Sequence, residues 1–218
     1  MKVTIESLND FSDEVKERLA QRTDTSAVLL KALAFDESAY VRRAVAENKN
    51  TPTETLTLLA KDENEYVRWV VAKNKNTSIE TLALLAQDSD KWVRYAVAKN
   101  KNTPPETLAQ LAEDEDSDIR GIVAENKNTS VETLALLAQD KERWVRSEVA
   151  QNKNTSAETL AVLAKDVDID VRCAVVENKN TSVDTLVMLS KDKELCVSEN
   201  AKKVVKERKE KSKTSMER

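Results

Sequence analysis

The chain has 218 residues, 34% of them charged, with a formal net charge of −4, a single Gly and no His. Without His it lacks the commonest general base and most zinc sites, and one Gly cannot build a phosphate loop, so neither catalysis nor a cofactor is expected. No segment is apolar enough for a signal peptide or a membrane span, and two Cys without pairing context fit a reducing compartment, which predicts a cytoplasmic location.

A 26-residue repeat organises the chain. The tetrad NKNT begins at Asn48 and recurs every 26 residues through Asn178, and a degenerate copy begins at Arg22. A fixed period of this size is the signature of a stacked-repeat protein. Positions 1–26 are numbered here from the first Asn. The predicted organisation is an N-terminal cap, seven repeats, and the end of a capping helix with a basic, disordered tail: 1–21; 22–47, 48–73, 74–99, 100–125, 126–151, 152–177 and 178–203; 204–218.

The first segment is predicted to be a worn copy of the second helix of the repeat. Phe11 and Phe35 are expected to seal the exposed end of the core, because terminal repeats are usually atypical. Four residues fall in register with positions 20, 21, 24 and 25 of the repeat: Val15, Lys16, Leu19 and Ala20.

The first helix of each repeat begins with a capping signal. In the copy 48–73, Thr51 is predicted as the N-cap, Pro52 as the first helical residue and Glu54 as the third, which together make a capping box. Leu56 and Leu59, at positions 9 and 12, share one face and predict a core stripe. A helix of about ten residues is too short to be stable alone, so stacking must hold it.

The second helix is predicted to follow an Asp at position 15. Asp62 reads as its N-cap, and Val67 and Val71 at positions 20 and 24 are predicted to be buried. Ala72 at position 25 indicates close approach of neighbouring helices. The next residue, Asn74, is expected to end the helix in a left-handed conformation. Two such helices form an αα hairpin, so stacked copies predict an all-α solenoid with capping helices at both ends.

The repeat, written N-x-N-T-[SP]-x-E-x-L-x-x-L-A-x-D-x-x-x-x-V-R-x-x-V-A, resembles the leucine-rich repeat variant family and is related to HEAT-like repeats. The resemblance covers residues 15–205. It implies a right-handed superhelix without sheet, in which one helix of each pair is of the 3₁₀ type in some relatives. Some relatives also carry an iron–sulfur cluster on an N-terminal Cys group. Because the first Cys here is Cys173, that cluster is not expected. Cys173 and Cys196 fall on neighbouring second helices, close enough for a disulfide to be the alternative, and are expected to be unpaired thiols.

Three polar positions are nearly invariant between copies. The Arg at position 21 is predicted to pair with a carboxylate, such as the position 15 Asp of a neighbouring repeat, in a structural ladder; the alternative is a row of anion receptors. The Asn at positions 1 and 3 should bond to loop backbone groups. The Lys at position 2 forms either a solvated edge or a contact for a polyanion.

All Trp and Tyr side chains fall at positions 19 and 22. With positions 20 and 24 directed to the core, these positions lie toward the outward side of the second helix. The copies differ there, as in solenoids that build a binding surface, and exposed Trp and Tyr anchor interfaces. Packing of the rings on the next helix is the alternative. The predicted partner-binding residues are Tyr40, Tyr66, Trp69, Trp92, Tyr95, Asp118, Gly121, Trp144, Glu148 and Asp170.

Gly121 is expected to leave a notch between large rings. Trp92 and Trp144 would wall it and Asp118 would form its floor, within the acidic run 114–118. Such a notch would take an Arg or Lys of a partner peptide by charge and cation–π contact. The alternative for the acidic run is that its carboxylates are favoured at a helix N-terminus.

The favoured function is a non-catalytic, monomeric scaffold that binds a protein or peptide with a basic segment. Residues 202–218 carry a net charge of +5, which leaves −9 on the rest. A nucleic-acid-binding protein that uses the Lys edge and the basic tail is the second candidate, although an acidic body disfavours it. The acidic face also counts against an enzyme similar to the helical-repeat DNA glycosylases. The near identity of the copies would fit an engineered array as well.

Overall fold

All regular structure in residues 6–216, the part that the computed structural model describes, is helical. For Asn9 and residues 211–216 only the backbone is described. The chain divides into two units, Met1–Leu111 and Ala112–Arg218. The first unit holds a 3₁₀ helix, Glu6–Asp10, and helices α1 Asp13–Gln21, α2 Ala27–Leu33, α3 Ala39–Glu47, α4 Thr53–Leu59, α5 Glu65–Lys73, α6 Ile79–Leu85, α7 Lys91–Lys99 and α8 Pro105–Leu111. The second holds α9 Ser117–Glu125, α10 Val131–Leu137, α11 Arg143–Gln151, α12 Ala157–Leu163, α13 Ile169–Glu177, α14 Val183–Leu189 and α15 Leu195–Met216.

Each repeat pairs a seven-residue helix, called helix A, with a longer helix B. Successive B helices pack on each other, α1, α3, α5 and α7 in the first unit and α9, α11, α13 and α15 in the second. Within each unit, an A helix such as α4 or α12 lies against the B helices before and after it. The predicted all-α fold of stacked two-helix repeats is therefore confirmed.

The core consists of the predicted positions. Leu56 and Leu59 of helix A and Val67 and Val71 of helix B are at most 2% exposed, and Ala72 is fully buried. Burying a Leu or Val side chain contributes about 1.5–3 kcal/mol. A seven-residue helix is not stable in isolation, so this burial is what keeps helix A folded.

The predicted capping box is one residue out of register. Helix α6 is capped by Ser78, whose hydroxyl accepts from the amide of Thr81, and the helix begins only after it. Thr77, the predicted N-cap, instead donates its buried hydroxyl to the carbonyl of Val71 at 2.6 Å. The Thr is used there because the last carbonyls of a helix have no partner within the helix.

Helix B ends on an extended Asn and not on a left-handed one. Asn74 has φ −69° and ψ 132°, and no residue between 6 and 216 has a positive φ. Its side-chain amide donates to the carbonyl of Ala46 near the end of α3, the preceding helix B, at 2.7 Å, and its oxygen accepts from the amide of Asn76. Asn76 in turn donates to the carbonyl of Lys49 at 2.6 Å. The Asn side chains thus join neighbouring loops, as expected.

The Arg at position 21 forms the predicted ladder with the Asp at position 15. Arg68 donates from Nε and Nη2 to the two oxygens of Asp88, at 2.6 and 2.9 Å, and from Nη1 to the carbonyl of Asp62. Asp88 also accepts from the amide of Asp90. The cap of helix B is Asp90, whose side chain accepts from the amides of Trp92 and Val93, and the predicted N-cap, Asp88, belongs to the ladder instead. The same bidentate pairs are Arg42–Asp62, Arg120–Asp140, Arg146–Asp166 and Arg172–Asp192.

The two ends replace the missing neighbour in different ways. At the start, Lys16 occupies the register of the ladder Arg and contacts Asp36 at 2.8 Å. Phe35 does not seal the core there, because its side chain is 67% exposed. At the other end, α15 stays helical to Met216, within the segment 204–218 for which the sequence predicted the end of a capping helix and a disordered tail. Arg208 holds it by donating to the carbonyls of Asn178 and Thr181; residues 217–218 lie outside the described part.

Candidate partner-binding face

Positions 19 and 22 of helix B carry the aromatic side chains on the side turned from the core. Tyr40, Tyr66 and Trp92 at position 19 are 67%, 64% and 56% exposed. Trp69 and Tyr95 at position 22 are half-buried. The helical period does not explain this difference, because it places position 22 opposite the buried positions 20 and 24 and position 19 nearer the rim. The rings are on the surface and are not enclosed between layers.

Three of these rings line one cleft in the first unit, called the aromatic cleft. Its walls are Tyr66 and Trp69 of α5 and Trp92 of α7, and two carboxylates, Glu65 and Asp90, complete it. The volume is about 440 Å³. Asp90 is held in place as the cap of α7, where one of its oxygens accepts from the amide of Trp92 at 2.9 Å. The cleft therefore combines aromatic faces with negative charge.

A second cleft, called the basic cleft, lies on the other side of Trp69. Its volume is about 340 Å³. The ammonium of Lys73 lies 4.0 Å from the centroid of the Trp69 ring, and that of Lys99 lies 5.8 Å from the centroid of Tyr95. The lining residues are Trp69, Lys73, Tyr95, Ala96, Lys99 and Asn100. The indole of Trp69 thus separates an acidic cleft from a basic one.

The predicted notch at Gly121 is absent, because the ring of Trp144 fills it. A Cβ atom at Gly121 would lie 1.8 Å from Cζ3 and 2.1 Å from Cη2 of Trp144. Gly121 is buried and has a negative φ, so its lack of a side chain serves the close approach of the ring and not a turn. The site that was expected to receive a cation is occupied by the protein itself.

The acidic residues of the predicted face differ in their surroundings. Asp118 is exposed. Asp170 is also exposed but pairs with Arg143 at 3.0 Å. Glu148 is half-buried, and burial together with the charge of Glu125 raises the pKa of its carboxyl. In the second unit the structure therefore shows carboxylates on this face that are partly paired or partly buried.

Sequence reasoning missed the charged residues that flank the rings. Glu65 and Asp90 were not among the predicted site residues. Glu65 directly precedes Tyr66 in the chain, and Asp90 caps the helix that carries Trp92. Lys73 could have been found, because residues four apart on a helix are neighbours and position 26 follows position 22 by four. The tertiary arrangement of α5 against α7, which unites Trp69 with Trp92, has no such local signal.

Other chemistry is sparse in the described part of the chain. In residues 6–216 no group of three or more Cys, Asp or Glu is placed to hold a metal ion, and no helix there is both long and apolar enough to cross a membrane. The sulfur atoms of Cys173 and Cys196 lie 4.0 Å apart as free thiols. Burial, the Cys196 thiol and nearby carboxylates raise the pKa of Cys173 to about 11.

These features define a helical-repeat protein, a solenoid of αα hairpins. A family model for the leucine rich repeat variant matches residues 40–64 and 92–116. A solved leucine-rich repeat variant, described as having a novel repetitive structural motif, is 31% identical. The match covers 92% of this chain and 79% of that one, with a TM-score of 0.71. The chain belongs to the leucine-rich repeat variant family.

More distant solved structures also match. An engineered protein is 15% identical over 93% of this chain and 76% of its own, with a TM-score of 0.48. An archaeal HEAT-like repeat protein from Thermococcus onnurineus NA1 is 13% identical over 94% of this chain and 97% of its own, with a TM-score of 0.44. No curated protein matches the chain significantly.

Proposed function

We propose that the chain is a non-catalytic scaffold that binds a protein or peptide partner through the outward side of its B helices. The observation that carries the proposal is the exposure of Tyr40, Tyr66 and Trp92, each more than half accessible, on one face of the first unit. Large aromatic side chains with a polar tip are the residue types that anchor interfaces. Trp69, Tyr95, Asp118, Trp144, Glu148 and Asp170 complete the proposed contact residues.

Electrostatics favour a polypeptide over a nucleic acid. The position 2 Lys side chains, such as Lys49 and Lys75, are exposed, but two carboxylates line the aromatic cleft. Phosphate binding needs clustered Lys and Arg, and carboxylates beside the stacking rings would repel the backbone of a single strand. A protein or peptide can meet both the acidic and the basic cleft.

The test is a quantitative capture experiment with matched variants. Wild type would be compared with a Trp69→Ala/Trp92→Ala/Trp144→Ala variant and with a control, Ile79→Ala/Val131→Ala/Val183→Ala, which removes exposed apolar residues from A helices. Proteins from the source cells that are kept by wild type and control but lost from the Trp variant would be purified and titrated directly against the three chains.

Two outcomes would contradict the proposal. Equal retention of every captured protein by the Trp variant would show that the aromatic face is not the contact surface. Salt-sensitive retention of nucleic acid by wild type, without a protein that survives nuclease treatment, would favour the second candidate function.

A further inference from the structure

The aromatic cleft has the composition of a site for an organic cation. Rings from two adjacent B helices converge on it, Tyr66 and Trp69 from α5 and Trp92 from α7. The face of an aromatic ring carries negative potential, and a cation within about 6 Å of its centroid is attracted. A cleft of about 440 Å³ is within the range of sites that hold small ligands.

The charge around the cleft has the matching sign. Glu65 makes no ion pair and no side-chain hydrogen bond among residues 6–216, and Asp90 accepts only amide bonds through one oxygen there. Arg68 interacts electrostatically with both carboxylates, but its guanidinium is bound by both oxygens of Asp88. The Arg68–Asp88 pair is neutral as a whole, so it adds no net positive charge beside the two cleft carboxylates.

The protein's own lysines show that these rings attract ammonium groups without closing the cleft. Lys73 lies over Trp69 at 4.0 Å, on the side that lines the basic cleft, and Lys91 lies 5.1 Å from the ring of Trp92. Neither lysine lines the aromatic cleft. The ring surfaces that face the cleft therefore remain available to a second cation.

We propose that the aromatic cleft binds a methylated ammonium group, presented by a methylated lysine of a partner polypeptide. This rests on the proposed function, because it names the chemistry of that partner. A primary ammonium is compact and strongly hydrated, and it loses much of that hydration on entering a cleft. Methyl groups spread the charge over an apolar surface. A methylated ammonium therefore suits a cleft of aromatic rings and carboxylates better than it suits a cleft of hydrogen-bonding groups.

The first arm of the test uses a pair of small probes of equal shape. Choline and its neutral carbon analogue, 3,3-dimethylbutan-1-ol, would be titrated into the full chain while the indole N–H signals of the three Trp residues are followed by NMR. Choline is expected to shift the signals of Trp69 and Trp92 saturably and to bind about tenfold more tightly than the neutral analogue. Equal binding of the two, or no saturable shift up to about 50 mM choline, would overturn the proposal.

Variants separate the cleft from the other aromatic residues. Trp92→Ala is expected to weaken choline binding about tenfold, Trp92→Phe to restore part of it, and Glu65→Gln to weaken it about threefold. Phe35→Ala is the matched control, since Phe35 is also an exposed aromatic residue of the first unit but does not line the aromatic cleft. An equal loss in Phe35→Ala would overturn the assignment. Thermal unfolding of each variant confirms that the fold is intact.

The second arm identifies the source of the cation. A lysine peptide and its trimethylated form would be compared, and the trimethylated peptide is expected to bind at least fivefold more tightly, a ratio typical of one cation–π contact. Stronger retention on phosphatidylcholine vesicles than on either peptide would overturn the polypeptide source. Choline binding without any captured protein would contradict the proposed function and with it the polypeptide source of the cation, whereas a captured partner without choline binding would contradict only this inference.

Discussion

At the scale of single residues, the most informative irregularity is one hydroxyl. The buried Oγ1 of Thr55 has no hydrogen-bond partner among residues 6–216. In the next repeat, the equivalent Thr81 exchanges hydrogen bonds with Ser78 and Thr57 at 3.1 and 2.9 Å. The difference arises because Pro52 stands at the cap of α4 and has no hydroxyl to offer.

This contrast predicts opposite effects of the same substitution. Thr55→Val removes an unsatisfied buried group and should raise the free energy of unfolding by about 1 kcal/mol, whereas Thr81→Val breaks satisfied bonds and should lower it by about 1 kcal/mol. Urea denaturation of the two variants measures both. Changes of the same sign in the two variants would contradict the hydrogen-bond explanation.

The residue-level chemistry of the repeat could be predicted only in part. The pairing of the position 21 Arg with the position 15 Asp followed from complementary charge and spacing, and it is confirmed by pairs such as Arg68–Asp88. The cap assignments were wrong because two suitable caps stand close together, one residue apart before helix A (Thr77 and Ser78) and two residues apart before helix B (Asp88 and Asp90). Which of the two caps the helix depends on the neighbouring helix end, as the bond from Thr77 to Val71 shows.

At the scale of helices, α9 and α11 meet through one Gly and one Trp. Gly121→Ala should replace a poor helix former by the best one, a gain of about 1 kcal/mol. The new Cβ would clash with the ring of Trp144, which is 36% exposed and can move outward. We therefore expect little or no net gain in the wild-type chain, with a red shift of Trp144 emission.

A second background isolates the clash. In a Trp144→Ala chain, Gly121→Ala should stabilise by the full helix-propensity difference of about 1 kcal/mol. Emission would be read in a chain whose other Trp residues are replaced, Trp69→Phe/Trp92→Phe, so that the signal comes from Trp144 alone. Identical effects of Gly121→Ala in both backgrounds would show that the ring does not restrain this position.

The helices α13 and α15 bring the thiols of Cys173 and Cys196 together as free, unpaired thiols. With the sulfurs of Cys173 and Cys196 4.0 Å apart, oxidised glutathione should form a mixed disulfide at the exposed Cys196. Cys173 then displaces glutathione, so that two protein thiols are oxidised to one disulfide and the oxidant is reduced to two glutathione thiols. Because the pKa of Cys173 is about 11, the second step should accelerate about tenfold per pH unit from pH 7 to pH 9.

Mass spectrometry under non-reducing conditions measures this reaction by the loss of two hydrogens from the intact chain. Cys173→Ser should stop at the glutathione adduct of Cys196. A product that is only an intermolecular dimer, or a rate that does not change with pH, would contradict the expected internal disulfide.

The candidate site shows which structural features sequence periodicity can predict and which it cannot. The period predicted that the rings at positions 19 and 22 lie on the outward side of helix B. Tyr40, Tyr66 and Trp92 at position 19 are exposed there, whereas the position 22 rings are half-buried. The period also suggested a notch at Gly121, but the ring of Trp144 fills that space. A pattern of positions does not say how far an indole ring reaches into the neighbouring helix. The aromatic cleft depends on ring orientations between α5 and α7, and a pattern of single positions does not specify these.

At the scale of the whole molecule, the ladder of Arg–Asp pairs recurs in both units and makes stability depend on acid pH. Burial alone would raise the pKa of the carboxyl of Asp88, Asp140 or Asp166, but hydrogen bonds from the Arg and a backbone amide outweigh it and lower the pKa. For Asp192 the bond from Arg172 is the largest influence and lowers the pKa directly.

The sign of the pH effect follows from these lowered values. An unfolded Asp has a pKa of about 3.9, so the unfolded chain binds more protons than the folded one between that value and the lowered one. The ladder's contribution is therefore complete above about pH 5 and is lost as the pH falls through the folded pKa values. We expect the free energy of unfolding, measured by urea denaturation, to fall steadily from pH 5 to pH 2.

Asp88→Asn tests whether the ladder is the source of this dependence. Losing one carboxylate should lower stability by about 3 kcal/mol at pH 7, since a mostly buried Arg keeps its charge without a partner, and should flatten the slope below pH 5. Asp118→Asn, which removes an exposed carboxylate outside the ladder, should leave both unchanged within about 0.5 kcal/mol. If the two variants gave the same slope as the wild type, the acid sensitivity would have to come from groups other than the ladder.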